Sequence, residues 1–157
     1  AFFDQRGQKI KVFNAIELGS LKKYPAIPQV SGWSSDGRQL WGYLVRENRL
    51  VSYFSINPSS WAIKKYPLAW LKITKEYALN RDSAELAYTT TTWEPISKKT
   101  KQRQKVNGLY YYDLEGKHGG LVITTNREIL FYPRWKEEYI SFISPEGKRV
   151  LFSPLAH

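Results

Sequence analysis

The chain has 157 residues, 42% hydrophobic, 24% charged and 15% aromatic, with 24 Lys+Arg against 14 Asp+Glu for a formal charge of +10. That length and apolar content suffice for a buried core, and the 6 Trp, 11 Tyr and 7 Phe exclude a disordered chain, which would be poor in rings. The absence of cysteine excludes disulfides, thiolate catalysis and cysteine metal sites.

The chain reads as a single globular domain over 1–157. Its expected fold class is β-rich α+β, an antiparallel sheet or half-open barrel of about 7–9 short strands. One or two short helices are expected with it, at 14–24 and 58–80. In chain order, 9–13 alternates charge and bulk as a short strand does. Asn14 and Glu17 stand at capping-box spacing and predict a helix start, ended soon by Gly19, Pro25 and Pro28. The β-rich runs 38–45 and 49–56 are separated only by Arg46-Glu47-Asn48 and predict a hairpin.

The region 61–80 reads in two ways. A helix begun at Pro67 places Trp70, Ile73 and Tyr77 on one side, whereas a strand from Ala69 separates Leu71 and Ile73 from Lys72 and Thr74. The helix is the expectation. Four consecutive threonines, Thr89 to Thr92, make 84–93 a strand. The run 97–105 offers nothing to bury and reads as a mobile basic loop. Further β segments are expected at 108–114, 120–125, 128–132 and 137–144, the last turning through Ser144-Pro145-Glu146-Gly147-Lys148 into 149–153.

Asp36-Gly37-Arg38, Glu115-Gly116-Lys117 and Glu146-Gly147-Lys148 repeat an acid-Gly-base triplet. The stretch from Ser144 to Phe152 resembles one strand-turn-strand unit of a β-propeller of the TolB type, over fewer than ten residues. A propeller would repeat that unit about every 40 residues. These triplets are unevenly spaced, so they read as ordinary hairpin turns and no family is assigned.

Asp113, Glu115 and His118 are the catalytic candidates, since two carboxylates and an imidazole are the groups that move protons or hold a cation. The alternative is a strand end running into a polar turn. No phosphate-binding loop, dinucleotide fingerprint or nucleophile elbow is present, and neither a metal nor a cofactor is implied. Basic residues adjoin rings at Lys22-Lys23-Tyr24, Lys64-Lys65-Tyr66 and Arg134-Trp135-Lys136, as nucleic-acid binders require. Core rings with lysines snorkelling to water give the same pattern. Lys98, Lys99, Lys101, Arg103 and Lys105 are the expected anion-binding loop. Trp135 with its neighbours Arg134 and Lys136, placed in a loop after Pro133, and Trp33 are the expected partner-binding anchors.

The expected function is a non-enzymatic binding or assembly domain that docks a protein partner, an anionic surface or a small apolar ligand. A nucleic-acid-binding module and a small secreted hydrolase are the alternatives. The first residue is Ala1 rather than Met, which predicts an extracytoplasmic setting: periplasmic, secreted or anchored by a removed segment. No run reaches the ~18 apolar residues of a membrane-spanning helix.

Overall fold

The computed structural model describes residues 1–99 and 101–156. Thirteen strands and two 3₁₀ turns are found among them. The chain divides into two compact units, Ala1–Trp70 and Leu71–His157. All pairings are antiparallel between strands consecutive in sequence, in four sheets. The β-rich character is therefore as expected, but the strands outnumber the expected 7–9 and are spread over several open sheets.

The first unit holds β1 (Phe2–Phe3), β2 (Lys9–Lys11), β3 (Ile27–Trp33), β4 (Leu40–Arg46), β5 (Arg49–Ile56) and β6 (Ile63–Pro67). β1 and β2 form a ribbon, and β3 to β6 form a four-stranded meander. Its core gathers Leu18, Ala26, Leu44, Phe54 and Ile56, with Phe2, Phe13, Trp61 and Ile63 packed against them. Gly42 opposes Phe54, whose ring lies where a Cβ would stand, so the sheet needs glycine there. The hairpin at 46–49 is tight because Glu47 and Asn48 both take positive φ, 50° and 61°. That is the conformation required of the central residues in a type I′ turn.

Neither expected α-helix is present among the described residues. At 14–24 the capping box does form. The Asn14 amide donates to Glu17 Oε2 at 2.7 Å and the Glu17 amide to Asn14 Oδ1 at 2.9 Å. The turn then closes at once: Gly19, at φ +112°, donates to the Ile16 carbonyl, and Ser20 donates to Ala15. This pair of bonds is the Schellman arrangement that ends helices. A start signal and a stop signal five residues apart leave a single turn.

Over 58–80 neither the helix nor the strand expected from Ala69 forms, and the strands lie on either side, at Ile63–Pro67 and Tyr77–Asn80. β6 pairs along β5, burying Tyr66 and leaving Lys64 and Lys65 exposed. Pro67 sits at the sheet edge, where its missing N–H breaks no ladder. A 3₁₀ turn, Ala69–Leu71, follows.

The second unit holds β7 (Tyr77–Asn80), β8 (Glu85–Pro95), β9 (Arg103–Asp113), β10 (His118–Thr125), β11 (Arg134–Lys136), β12 (Tyr139–Ile143) and β13 (Arg149–Phe152). β7 to β10 form a second four-stranded meander, and β11 to β13 a three-stranded one. The two share a core of Ala87, Leu109, Phe131, Ile140 and Phe142. The segment 128–132, expected as a strand, is a braced loop. Glu76 accepts the amides of Phe131 at 2.9 Å and Tyr132 at 2.7 Å through its two carboxylate oxygens. Those amides are consumed by a side chain, so none remains for a ladder.

The hairpin turns follow a common plan. Asp4, Ser34 and Ser144 each accept the amide of a glycine three residues on, Gly7, Gly37 and Gly147, with φ of 76°, 69° and 78°. Their side-chain oxygens also accept turn amides, from Arg6 and Gln8, from Gln39, and from Lys148. In a longer version begun by Asn57, Asn80 and Asp113, the left-handed residue comes four on, at Trp61, Ala84 and Lys117. Such side-chain bonds make Asx and Ser residues turn formers.

No atom lies within 4 Å of a Cβ built on Gly147, so a side chain there meets only backbone strain. Gly147→Val is expected to lower the unfolding free energy by about 1–2 kcal/mol, and Gly147→Asn by less, because Asn tolerates left-handed backbone. Denaturant unfolding of the three proteins checks this order.

Hydrogen bonding from Ser144 holds the exposed Glu146 carboxyl below its ordinary value. The unfolded chain lacks that bond, so the turn's contribution is complete above the ordinary carboxylate range and lost as pH falls through the lowered value. Ser144→Ala should raise the Glu146 titration midpoint, as read by carboxyl-carbon NMR.

Candidate functional site

The sequence candidates fall in separate places in the fold. Asp113 ends β9 and His118 begins β10, facing each other across the hairpin with Nε2 and Oδ2 3.4 Å apart. Asp113 Oδ1 accepts the amides of Glu115 and Gly116 at 2.9 Å. One carboxylate oxygen is thus committed to building the turn, and His118 is exposed at its tip. Among the described residues no group of three or more His, Asp or Glu side chains gathers as a metal site would require.

Trp135 lies in strand β11, not in the loop expected for it. Its ring is half-buried against the core of the second unit, and Nε1 donates to the Ala78 carbonyl at 2.9 Å. Arg134 and Lys136 alternate to solvent on either side. Trp33, at the end of β3, is 45% exposed and meets Phe2 edge-on at 6.4 Å. Phe2 also contacts Phe13 and Trp61, so Trp33 is the rim of a ring cluster in the first unit.

The basic run 97–105 is a loop only in part. Arg103 to Lys105 belong to β9 and pair with 93–95 of β8, leaving the tip at 97–99 and 101. Thr100 lies outside the described residues. β8 and β9 are each 11 residues long. Their neighbours are shorter: β7 reaches only to Tyr88, and β10 only to Asn107. Beyond these points the pairs Thr92–Val106, Trp93–Lys105, Glu94–Gln104 and Pro95–Arg103 have no third strand. The ladder closes with the Ile96 amide donating to the Gln102 carbonyl at 3.0 Å. A two-stranded ribbon therefore extends past the sheet, roughly 15 Å long at ~3.3 Å per residue.

Its two faces differ, because cross-strand partners share a face and alternate residues change face. Glu94, Gln104 and Val106 share one face and line an open polar cleft of about 450 Å³ with Thr124, Arg127 and Glu146. The opposite face carries Trp93, Pro95, Arg103 and Lys105. Trp93 is 61% exposed and Ile96, at the tip, 54% exposed. Lys98, Lys99, Lys101 and Arg103 are exposed beside them.

The root of the ribbon is braced. Buried Asn107 accepts the Thr91 hydroxyl at 2.9 Å and donates to the Arg127 carbonyl at 2.9 Å. Lys105 is ion-paired to Glu128. That hydrogen bond, aided by the charges of Lys105 and Lys75, lowers the pKa of exposed Glu128. Trp93, Ile96 and the brace at Asn107 went unread in the sequence. The signal for the rings was the Trp-x-Pro-Ile run directly before the basic stretch.

No protein-family model, curated protein or solved structure matches this chain. No helix among the described residues is long and apolar enough to cross a membrane.

Because the Trp135 ring packs on the core and satisfies Ala78, Trp135→Ala should behave as a core truncation. A loss of about 2–3 kcal/mol is expected for a half-buried ring, measured by equilibrium unfolding. An unchanged midpoint would return Trp135 to the surface.

Proposed function

We propose that this protein is a non-enzymatic docking domain whose contact surface is the Trp93 face and tip of the β8–β9 ribbon. The observation that carries this reading is that ribbon itself, which holds Trp93 and Ile96 in water beside Lys98, Lys99, Lys101 and Arg103. Exposing large apolar side chains costs solvation with no return unless a partner covers them. Tryptophan and arginine are the side chains that most often anchor interfaces. The tip, at 97–99 and 101, is read as the mobile part, ordering when it docks. The Asp113–His118 hairpin supports binding over catalysis, since its carboxylate serves the turn backbone.

An extracytoplasmic setting is part of the same reading. With neither cysteine nor methionine, the chain has no side-chain sulfur for an oxidising compartment to modify.

Immobilised wild type should retain material from a native extract that the double variant Trp93→Ser, Ile96→Ser loses, with both proteins melting at the same temperature. Identical retention by the two, or turnover of a nucleic-acid or glycan substrate by the wild type, would contradict the docking reading.

A further inference from the structure

Resting on that docking surface, we infer that its partner is an anionic lipid surface, which the ribbon tip enters side-on. Three observations converge. First, the contact stands apart from the cleft. Glu94 and Glu146 are in the cleft lining, while Trp93, Pro95 and Arg103 lie on the ribbon face opposite Glu94.

Second, apolar and cationic groups adjoin one another. Trp93, Pro95 and Ile96 are contiguous near the tip on the β8 side. Lys98, Lys99 and Lys101 follow them around the tip, and Arg103 stands opposite Pro95. Indole and aliphatic groups settle at the boundary between headgroups and chains, and lysine stems reach from there to headgroup phosphates. Stacking on nucleic acid would instead favour several rings in series, and this face of the ribbon carries one aromatic ring, Trp93.

Third, the charge is concentrated and accessible. From 92 to 106 the chain carries five Lys or Arg and a single acid, Glu94, which faces the cleft. Of the five, Lys105 is ion-paired to Glu128 at the ribbon root, and the other four are exposed nearer the tip. Each basic side chain at an anionic bilayer contributes about a fivefold gain in partitioning. Four acting together with two buried apolar groups are enough for stable yet salt-sensitive attachment.

The test uses the full chain with vesicles of phosphatidylcholine alone or with 30% phosphatidylserine, on the order of physiological leaflet charge. Sedimentation should bring the protein down with the anionic vesicles and not with the neutral ones. Brominated acyl chains should quench Trp93, seen as a difference between wild type and Trp93→Phe. Replacing Lys98, Lys99, Lys101 and Arg103 with Gln should reduce partitioning by 100-fold or more. Circular dichroism and the melting temperature, unchanged in the variants, show that the fold is kept.

Absence of binding to anionic vesicles at low salt overturns the lipid inference. If the ribbon instead binds polyglutamate or a single-stranded oligonucleotide, and the four Gln substitutions abolish that binding, docking survives with a different partner and the lipid inference fails. If vesicle binding occurs and neither the Gln variant nor Trp93→Phe changes it, the contact lies elsewhere and both readings fail.

Discussion

Register in this protein is decided at its turns. Every strand pairs antiparallel with a sequence neighbour, so the strands depend on short connections to align them. At six of these connections a side-chain or backbone oxygen of Asp, Asn or Ser accepts turn amides, and a residue three or four positions later takes left-handed φ. A one-residue slip would turn each strand's buried face to water. The turns therefore fix which side chains reach the core and which reach solvent. The same rule sets the ribbon: the Pro95–Arg103 register puts Trp93 and Glu94 on opposite faces.

Local signals were readable wherever one residue type determines the backbone. The hairpins around 46–49 and 144–148, the capping box at Asn14, and the threonine strand all formed as the residues indicated. The helices failed because a local start signal says nothing about length. At 14–24 the stop signal at Gly19 came within one turn. Over 58–80 the deciding factor was non-local. β5 supplied a ladder partner, and Ser52 donates its hydroxyl to the Tyr66 carbonyl at 3.1 Å, across 14 residues of sequence. No window of sequence contains that bond. Glu76 is a similar case: a charged residue in an ambiguous stretch, yet it holds a loop 55 residues away.

The candidate site was half legible. The basic run stood out by composition, and Lys98, Lys99, Lys101 and Arg103 are exposed, while Gln104 and Lys105 are half-buried in β9. Its shape did not follow from composition, because the reach of the ribbon depends on β7 and β10 stopping short of β8 and β9. Trp135 shows the converse. Its basic neighbours suggested a surface ring, but alternation in a strand sends Arg134 and Lys136 outward and the indole between them inward. Two four-stranded meanders, β3–β6 and β7–β10, follow one another in the chain. Their turns are built from several residue patterns rather than one repeated triplet, which is why no regular spacing marks them.

In the function proposed, turn-fixed register presents the Trp93 face of the ribbon to an anionic partner and keeps the Glu94 face on the cleft. Amide chemical-shift mapping against bilayer discs containing phosphatidylserine tests it most directly. The account predicts shifts and line broadening at Trp93, Ile96, Lys98, Lys99, Lys101 and Arg103, with Gln104, Thr124 and the hairpin at 113–118 unchanged. Perturbation centred on the cleft residues or on the 113–118 hairpin, with the ribbon tip unaffected, would contradict it.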